Sequence, residues 1–548
     1  MSLVAALVGG GRAIIANRQL TRVVGTWGMW ITGEWAFLVV LSVTAFDRGG
    51  TAAVAVVGVI RLIPGALAGP LVSFTVDRVS RVRVLVGVLL SWTVLVALAP
   101  AALSIGSLAG LYVIVGVASI TSTLLRPAVS ALIPQVVDRP EELAAANSTY
   151  SLLEAGGSLI GPLLAGALVS GAGTTARYLV VAAVFAIAAL LAGGIRTDFK
   201  PSEHVRRAGW RRVVEPLLGF GSLLGPRRLR VVVAVIMAQA ATRGALNVLV
   251  IVAAVRLLHS GLSSTGVLFA AVGAGGLIGA VLTMTLSGQR PALPFVVGMS
   301  MWGLPLILIA AHPTSLFAWF GLALIGIGNS VGDVSGLTLM HRLIPDHLLG
   351  RSFGAFWALA AAASAVGSLV APALVNAFGI RSAILVVGAT MLTAALLSWF
   401  SVRHIDIDLA VDDHHIEVLR HCALLAPLTR IAVEQLARHA RTVEIAAGST
   451  VIREGQTGET FYVVDAGQLD ASVACALLRT LSDGDCFGEI AALNHTPRTA
   501  TVTARAPSRL LALDGQDFVH AVTARGPAEQ AARQMISDRT SHGAAHPA

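Results

Sequence analysis

The sequence predicts a mainly α-helical membrane protein with twelve transmembrane helices in two six-helix halves. A C-terminal α+β domain with a β-roll or jelly-roll barrel follows. Only 13% of the 548 residues are charged and the mean hydropathy is +0.78, whereas ordinary soluble domains carry about 25% charged residues. The long apolar runs all lie within residues 1–402. Residues 403–548 instead alternate apolar and polar residues, as a domain in water does.

Twelve apolar runs meet the length of about 20 residues that a membrane-spanning helix needs. Charged residues, prolines and glycines mark their ends. The runs fall near 24–46, 52–74, 84–105, 108–132, 148–170, 178–195, 231–255, 264–287, 293–311, 316–340, 354–378 and 381–402.

Two motifs recur at nearly constant spacing, which indicates a duplication of six spans. LIPQVV at residue 132 returns as LIPDHL at 343, and GSLIGPLLAGAL at 157 returns as GSLVAPALVNAF at 367. The sequence therefore predicts a twelve-helix domain at 1–402 with halves 1–195 and 231–402. Between them, residues 196–230 place Trp210 and apolar residues beside arginine pairs, which predicts a helix lying on the inner membrane surface.

The distribution of basic residues predicts the orientation. With the N-terminus inside, the cytoplasmic segments before residue 403 carry nineteen Arg or Lys and the outer loops carry four. By the positive-inside rule both termini are then cytoplasmic. The same distribution explains the net charge of +9 without a nucleic-acid partner.

Six ionisable side chains fall inside the predicted spans, where each costs roughly 2.5 to 3.5 kcal/mol on insertion scales. One interpretation is a proton-linked acid, with arginines that hold it ionised or contact an acidic substrate. The alternative is a set of buried ion pairs that only lock helices together. The acids are ranked Glu34 first, then Glu154 and Asp333, and Arg61 and Arg126 stay open between partner and substrate contact. The six are Glu34, Arg61, Arg126, Glu154, Arg243 and Asp333.

Several site classes have no motif in this sequence. It contains no G-x-x-x-x-G-K-[ST] phosphate loop. Its one G-x-S-x-G match, GNSVG at 328–332, falls inside the predicted span 316–340 and not at the strand-to-helix turn of a nucleophile elbow. An enzyme is therefore not predicted, and a gradient rather than ATP would have to power any transport. His414 and His415 beside Asp412 and Asp413 lack a second ligand pair, which favours a solvated polar joint over a metal site. The three cysteines lie beyond residue 402, as in a reducing compartment.

Twelve spans in two repeats, joined by a basic loop, resemble the major facilitator superfamily over about 400 residues. SFTVDRVSRVRVL at 73–85 is similar to that superfamily's cytoplasmic G-x-x-x-D-R-x-G-R-[RK] signature. It keeps the charged residues Asp77, Arg78, Arg81 and Arg83 but has Ser73 and Ser80 in place of both glycines. The resemblance implies a gating motif formed by Asp77, Arg78 and Arg81.

Other stretches look most like the drug–proton antiporter branch, which includes macrolide and siderophore exporters. They are RPAVSALIPQVVDRPEELAAANS, RLIPGALAGPL in span 2 and the Gly33-Glu34 pair in span 1. Separately, GGSLIGPLLAGAL in span 5 resembles the superfamily's glycine-proline antiporter motif, with Ala165 where a second glycine is usual. The resemblance implies a proton-coupled exporter of small amphipathic molecules, with Glu34 where that branch usually has an acid.

The residues after the last span predict a linker at 403–415 and a separate domain at 416–548. Residues 416–440 show helical periodicity, and short β-like runs separated by glycines follow. Such runs are typical of a β-roll or jelly-roll barrel flanked by helices.

The stretch FGEIAALNHTPRTATV at 487–502 has the chemistry of a small phosphate site. Gly488 permits close backbone approach, and a helix starting near Glu489 would offer N–H groups to an anion. Arg498 can donate two parallel hydrogen bonds to phosphate oxygens. Glu489 is unsuited to phosphate but suits a ribose hydroxyl, so the pair predicts a site for a cyclic ribose phosphate.

This stretch resembles the phosphate-binding cassette of cyclic nucleotide-binding domains, F-G-E-x-A-x(5)-P-R-x-A-x-V. The resemblance implies that Glu489 binds the 2′-hydroxyl and that Arg498 binds the cyclic phosphate. In the family, Thr following the arginine, here Thr499, is associated with tolerance of cGMP, and a final helix closes over the base. Backbone N–H groups near Ile490, Ala491 and Ala500 would bind the same phosphate, and the base-capping residue stays open among Gln530, Arg533 and Met535.

These resemblances imply a secondary active transporter of the inner (plasma) membrane, regulated by cAMP or cGMP. Two alternatives remain: a lipid or lysolipid flippase of the same fold, and a non-transporting cyclic-nucleotide receptor. The expected partners are a small-molecule substrate, a cyclic nucleotide and membrane lipid. Apart from the regulatory nucleotide, no cofactor is expected.

Overall fold

The computed structural model describes residues 17–76, 80–104, 108–137, 140–196, 220–221, 223–286, 290–344, 348–408, 413–428, 430–474, 476–494 and 496–523. The chain separates into two compact units, Met1–Asp406 and Ile407–Ala548. The first is helical, and the second combines helices with strands.

The described part of the first unit contains eleven α-helices, of which the last extends two residues into the second unit. They are α1 Arg18–Val76, α2 Arg81–Ser104, α3 Ala109–Ser122, α4 Leu125–Val136, α5 Pro140–Gly171, α6 Thr174–Gly193, α7 Arg227–Val252, α8 Ser264–Leu286, α9 Ala292–Ala311, α10 Ser315–Leu343 and α11 Leu349–Asp408. A π-helical turn, Ala253–Leu257, extends α7. Within the described ranges, ten helical runs are long and apolar enough to cross a membrane, which confirms the prediction of a mainly helical membrane protein.

Helix α1 folds back on itself at Gly49 and Gly50, between two predicted spans. Gly50 has φ +60°, and neither glycine has helical backbone angles. Glu34 and Arg61 nevertheless lie in contact, with 3.4 Å between Oε1 and Nη2. In an unbroken helix, 27 residues would separate them by about 40 Å. Gly379, with φ +78°, interrupts α11 between the last two predicted spans.

The predicted span at 108–132 is divided into α3 and α4 at Thr123 and Leu124. The hydroxyl of Ser122 donates to the carbonyl of Ser119, and that of Thr123 donates to the carbonyl of Ile120. Such local bonds compete with the helical ladder. Pro127 also has no N–H for the carbonyl of Thr123, so the sequence itself explains the break.

Helices α1 and α5 pack closely at the glycines of the motif in span 5. A Cβ atom on Gly157 would lie 2.5 Å from Cγ2 of Ile31, and one on Gly161 would lie 2.5 Å from the carbonyl oxygen of Thr32. Small residues let helix backbones approach in this way within membranes.

In its described residues, the second unit is a β-sandwich with four helices. The helices are α12 Asp413–His421, α13 Arg430–His439, α14 Glu489–Asn494 and α15 Gly515–Thr523. The strands are β1 Arg441–Ile445, β2 Thr450–Ile452, β3 Phe461–Ala466, β4 Leu469–Val473, β5 Ala476–Leu481, β6 Cys486–Phe487, β7 Thr501–Ala504 and β8 Ser508–Leu513. They form two antiparallel sheets with strand orders β1-β8-β3-β6 and β2-β7-β4-β5.

Alternation along β3 creates two hydrophobic cores. Phe461 and Val463 face α12, α13 and α15, and the ring of Phe461 stacks on that of Phe518 at 4.1 Å. Val464 instead packs between the sheets with Phe487. Successive side chains of a strand point to opposite faces of the sheet, so β3 supplies apolar residues to both cores.

The helix predicted at 416–440 is two helices, because residues 422–428 form turns. Pro427 disfavours helical backbone at the residue before it. Residues 197–219 and 222 of the interfacial helix predicted at 196–230 lie outside the described residues. The same holds for Asp77, Arg78, Asp412 and the final segment with Gln530, Arg533 and Met535.

Candidate functional site

A cavity of 660 Å³ lies in the helical unit, lined by residues of α1, α2, α3, α7 and α11. Its volume is within the range of sites for drug-sized ligands. The walls are mostly apolar and include the indoles of Trp35, Trp92 and Trp357. The charged side chains among its lining residues are Glu34, Arg61 and Arg243.

Glu34 and Arg61 face each other across the fold of α1. Nη2 of Arg61 donates to Oε1 of Glu34 at 3.4 Å, and both side chains are partly exposed. Ser119 of α3 donates its hydroxyl to the carbonyl of Arg61 at 2.6 Å and accepts from the N–H of Gly65. These bonds fix the backbone at Arg61, whereas the ion pair itself is long.

Arg243 lines the cavity and is held by α10. Its Nη2 donates to Asn329 at 2.6 Å and to Asp333 at 3.3 Å. Gln239 donates to the other oxygen of Asp333 at 3.0 Å, and the guanidinium of Arg243 lies 5.5 Å from the ring centre of Trp302. Both oxygens of Asp333 are thus hydrogen-bonded.

Arg126 and Glu154 form a third ion pair, at 2.6 Å, between α4 and α5. The guanidinium of Arg126 lies 5.1 Å from the ring centre of Trp27, which stacks on Tyr150 at 4.2 Å. Arg126, Glu154 and Asp333 are not among the residues that line the cavity. Of the predicted coupling residues, the structure therefore brings Glu34 and Arg61 together at the cavity.

Sequence reasoning included Arg243 among the charged candidates without naming its partner, and it assigned no role to Asn329 or Gln239. Arg243 was visible as a charge in a predicted span, and the two amides are polar residues within apolar runs. Such residues signal a partner or a function in a membrane domain. Of the predicted gating motif, Arg81 is described, and its Nη1 donates to the carbonyl of Ala131 at 3.1 Å.

In the second unit, Gly488 lies at the turn from β6 to α14, in the left-handed region with φ +87°. A Cβ atom there would lie 2.6 Å from Nη1 of Arg498 and 2.8 Å from the carbonyl oxygen of Thr460. Only glycine fits both the backbone angle and the space.

Arg498 precedes β7 and joins three separate segments. Its Nη2 donates to the carbonyl of Thr460 at 2.7 Å, and its Nη1 donates to the carbonyl of Gly488 at 3.1 Å. Its backbone N–H donates to the carbonyl of Gln456 at 2.9 Å. The residue is 5% exposed. Burial lowers the pKa of its guanidinium, and Tyr462 and Glu489 act in the opposite direction.

Glu489 is the first residue of α14 and is 2% exposed. It is close enough to Arg498 to influence the pKa of that side chain electrostatically. Ala491 is also buried, Ile490 and Ala500 are half-buried, and Thr499 is exposed. The two polar anchors predicted from the sequence thus lie near each other, in the segment that joins β6 of one sheet to β7 of the other.

Asp465 of β3 forms a charged cluster on the helix-covered sheet. Its carboxylate accepts hydrogen bonds from Nε of Arg509 on β8 and from His414 of α12, the latter at 2.8 Å. The Asp465 side chain is 2% exposed. Burial alone would raise its pKa, but the bonds from Arg509 and His414 outweigh burial and hold the pKa below its usual value. His415 bonds to the hydroxyl of Thr442, so both histidines connect α12 to the sheet.

The substitution Asp465→Asn is expected to destabilise the second unit by about 1 kcal/mol, since Arg509 and His414 are half exposed and water screens them. The folded-state pKa of Asp465 is depressed, so its contribution is present above the unfolded pKa and is lost as the pH falls through the folded pKa. Hydrogen exchange of β3 and α12 should differ between variant and wild type at neutral pH. The difference should shrink only in acid, below the usual aspartate pKa.

Asp470→Asn is the matched control, because Asp470 accepts from the neutral hydroxyl of Thr480. An equal effect of the two substitutions would contradict the assignment to the ion cluster.

Comparison with known proteins assigns both units to families. Residues 28–366 match the model of the Major Facilitator Superfamily, and residues 442–524 match the cyclic nucleotide-binding domain. The first match covers more than half of the chain. A POT family transporter in complex with 5-aminolevulinic acid has a similar structure, with TM-score 0.55 and 15% identity, over 70% of this chain and 96% of that chain. At this identity the likeness concerns the fold alone.

The second unit is similar to a regulatory subunit of a cAMP-dependent protein kinase. The cAMP-dependent protein kinase regulatory subunit of Eremothecium gossypii is 37% identical over 103 residues, which is 19% of this chain and 22% of that protein. The chain therefore spans about a fifth of the length of this curated relative. The cAMP complex of the regulatory domain of Toxoplasma gondii PKA is 22% identical, with TM-score 0.22, over 26% of this chain and 55% of that chain.

Proposed function

We propose that this chain, which belongs to the Major Facilitator Superfamily and carries a cyclic nucleotide-binding domain, is a proton-coupled secondary transporter that exports small amphipathic molecules. Cyclic AMP or cyclic GMP at the C-terminal domain regulates it. The observation that carries the transport assignment is the cavity of 660 Å³, which combines tryptophan walls with the Glu34–Arg61 pair.

Glu34 is the proposed proton-linked acid. It lines the cavity and its contact with Arg61 is long, at 3.4 Å, so the carboxylate can exchange a proton with the cavity. Asp333 accepts hydrogen bonds at both oxygens, and Glu154 pairs with Arg126 at 2.6 Å. We assign those two acids to ion pairs that hold helices together. Arg61 partners Glu34 through Nη2.

The proposed membrane arrangement has twelve spans in two halves, with both termini in the cytoplasm. The fold-back of α1 at Gly50 and the interruption of α11 at Gly379 support two spans from each of these long helices, which turns the ten apolar runs into twelve. The halves would rock about the central cavity, and Arg81 would act with Asp77 and Arg78 at the cytoplasmic gate.

Arg498 and Glu489 are the proposed anchors of the cyclic nucleotide. A guanidinium has five N–H donors, and Arg498 uses two of them on the described carbonyls of Thr460 and Gly488. The others can donate hydrogen bonds to the cyclic phosphate, together with backbone N–H groups near Ile490, Ala491 and Ala500. Glu489 would accept a hydrogen bond from the ribose 2′-hydroxyl. The side chain of Thr499 is exposed and could bond to guanine without excluding adenine, so both cAMP and cGMP are proposed ligands.

Regulation requires that the nucleotide bind one conformational state of the transporter better than the other. Coupling between sites is typically worth about 1 to 3 kcal/mol, roughly a 5- to 150-fold change in an equilibrium constant. No further energy source is needed for an effect of that size.

Transport by the purified full chain in proteoliposomes tests this function. A panel of amphipathic dyes and drugs is followed with and without an imposed proton gradient, and with and without cAMP or cGMP on the side of the C-terminal domain. We expect gradient-driven flux of at least one compound, changed several-fold by a nucleotide. Equal flux in the presence and absence of the gradient would refute proton coupling, and no response to a bound nucleotide would refute regulation.

A further inference from the structure

The cavity exposes more positive than negative side chains. Two arginines, Arg61 and Arg243, and one carboxylate, Glu34, are the charged groups among its lining residues. Asp333 compensates Arg243 without itself lining the cavity. A ligand inside the cavity therefore meets two guanidinium groups and a single acid.

In each of the two arginines, a single guanidinium nitrogen makes the hydrogen bonds to neighbouring side chains. Among the described residues, Nη2 of Arg61 makes the single bond to Glu34 at 3.4 Å. Both hydrogen bonds of Arg243 also involve Nη2. Each group thus has further N–H donors of the forked kind that pairs with carboxylates, sulfonates or phosphates.

The aromatic side chains of the cavity form a preorganised apolar surface. Trp92 donates its indole N–H to Thr121 at 3.2 Å, and its ring packs edge-on against Trp30 at 4.7 Å and Phe37 at 5.6 Å. Trp35 and Trp357 also line the cavity. A planar ring system can stack on such indoles, while an anionic group avoids their negative faces.

A cation would also find tryptophan faces and the acid Glu34. That acid, however, is already paired with Arg61. A cation in the cavity would also be repelled by the two guanidinium groups that line it. The arginines therefore weigh against a cation and in favour of an anion.

We propose that the cavity binds an amphipathic organic anion, with its acidic group at Arg61 and Arg243 and its ring system among the tryptophans. The proposal rests on the proposed transport function and names the substrate class of that same cavity.

Binding of two xanthene dyes of opposite charge tests this inference. Fluorescein is the anionic probe and rhodamine 123 the cationic one, and fluorescence anisotropy reports their binding to the purified full chain in nanodiscs. We expect fluorescein to bind more tightly than rhodamine 123. Arg61→Gln and Arg243→Gln should each lower the affinity for fluorescein at least about tenfold. This is the loss expected for one hydrogen bond between charged groups.

Arg256→Gln is the matched control, because Arg256 is exposed in the π-helical turn and is not among the lining residues. Thermal unfolding and gel filtration of each variant report whether it is folded. Arg243→Lys keeps the positive charge but not the paired N–H donors of the guanidinium. It should therefore lower the affinity for fluorescein less than Arg243→Gln does. Tighter binding of rhodamine 123, failure of fluorescein to bind, or equal losses in all the glutamine variants would overturn the proposal.

The same proteoliposomes separate this inference from the proposed function. Arginine-dependent binding of fluorescein without gradient-driven flux would overturn the transport cycle and support the anion site. Gradient-driven flux of rhodamine 123 that is unchanged in Arg61→Gln and Arg243→Gln would support the transport cycle and overturn the anion site.

Discussion

Arg498→Ala is expected to lower the affinity of the full chain for cAMP and cGMP by at least about a hundredfold. A hydrogen bond to a charged group contributes about 1.5 to 3 kcal/mol. The substitution removes a guanidinium that would bind the cyclic phosphate through two N–H groups, so two such hydrogen bonds are lost. The side chain is 5% exposed and also bonds to the carbonyls of Thr460 and Gly488. Isothermal titration calorimetry with each nucleotide measures the loss.

Three further variants separate binding from folding in this experiment. Arg498→Lys keeps the charge but not the fork, so it should retain part of the affinity. Arg505→Ala removes an exposed arginine of the same segment and should leave the affinity unchanged. Glu489→Gln should weaken binding through the ribose alone. If folded Arg498→Ala bound nucleotide as the wild type does, the assignment of the cassette would be wrong.

Glu34→Gln is expected to reduce gradient-driven flux to the leak rate of protein-free vesicles. Glutamine has the size of glutamate and can still accept from Arg61, but it cannot release or take up a proton. The position lies within the cavity and in a long, 3.4 Å contact, where an ionisable group in a membrane is a functional candidate. Flux of a transported dye under an imposed proton gradient is the measurement.

Two other acids make this result specific. Asp47→Asn removes an exposed carboxylate beside the fold-back of α1 and should leave the flux unchanged. Glu154→Gln tests the other interpretation of the membrane charges, since Glu154 pairs with Arg126 outside the cavity lining. Loss of flux in Glu154→Gln and normal flux in Glu34→Gln would move proton coupling to that second pair.

Local patterns in the sequence were sufficient to predict several parts of the structure. The helical membrane unit follows from run length and hydropathy, because each span satisfies its own backbone hydrogen bonds within lipid. The glycine at 488 and the short helix from Glu489 follow from residue order over a few positions. The division of the predicted span at Thr123 was within reach, since the hydroxyl run and Pro127 are visible in the sequence.

Other features depend on contacts between distant residues. Arg498 bonds to Thr460, 38 positions away, and Asp465 joins His414 and Arg509 from three different elements. The helix predicted at 416–440 is broken where Leu424 and Leu425 are fully buried in the core shared with the sheet. Propensity over a short window carries no information about which side chains such packing selects.

The order of residues alone established which segments belong in lipid and which in water, and where the charges lie in the spans. It also placed Glu489 and Arg498 at the two ends of a short segment with the chemistry of a phosphate site. These properties are local, because solvent preference and turn geometry act over a few residues. Only the folded chain decided that Glu34, rather than Glu154 or Asp333, shares a cavity with Arg61 and Arg243. Helices that are far apart in sequence form that cavity, and its charge depends on how they pack.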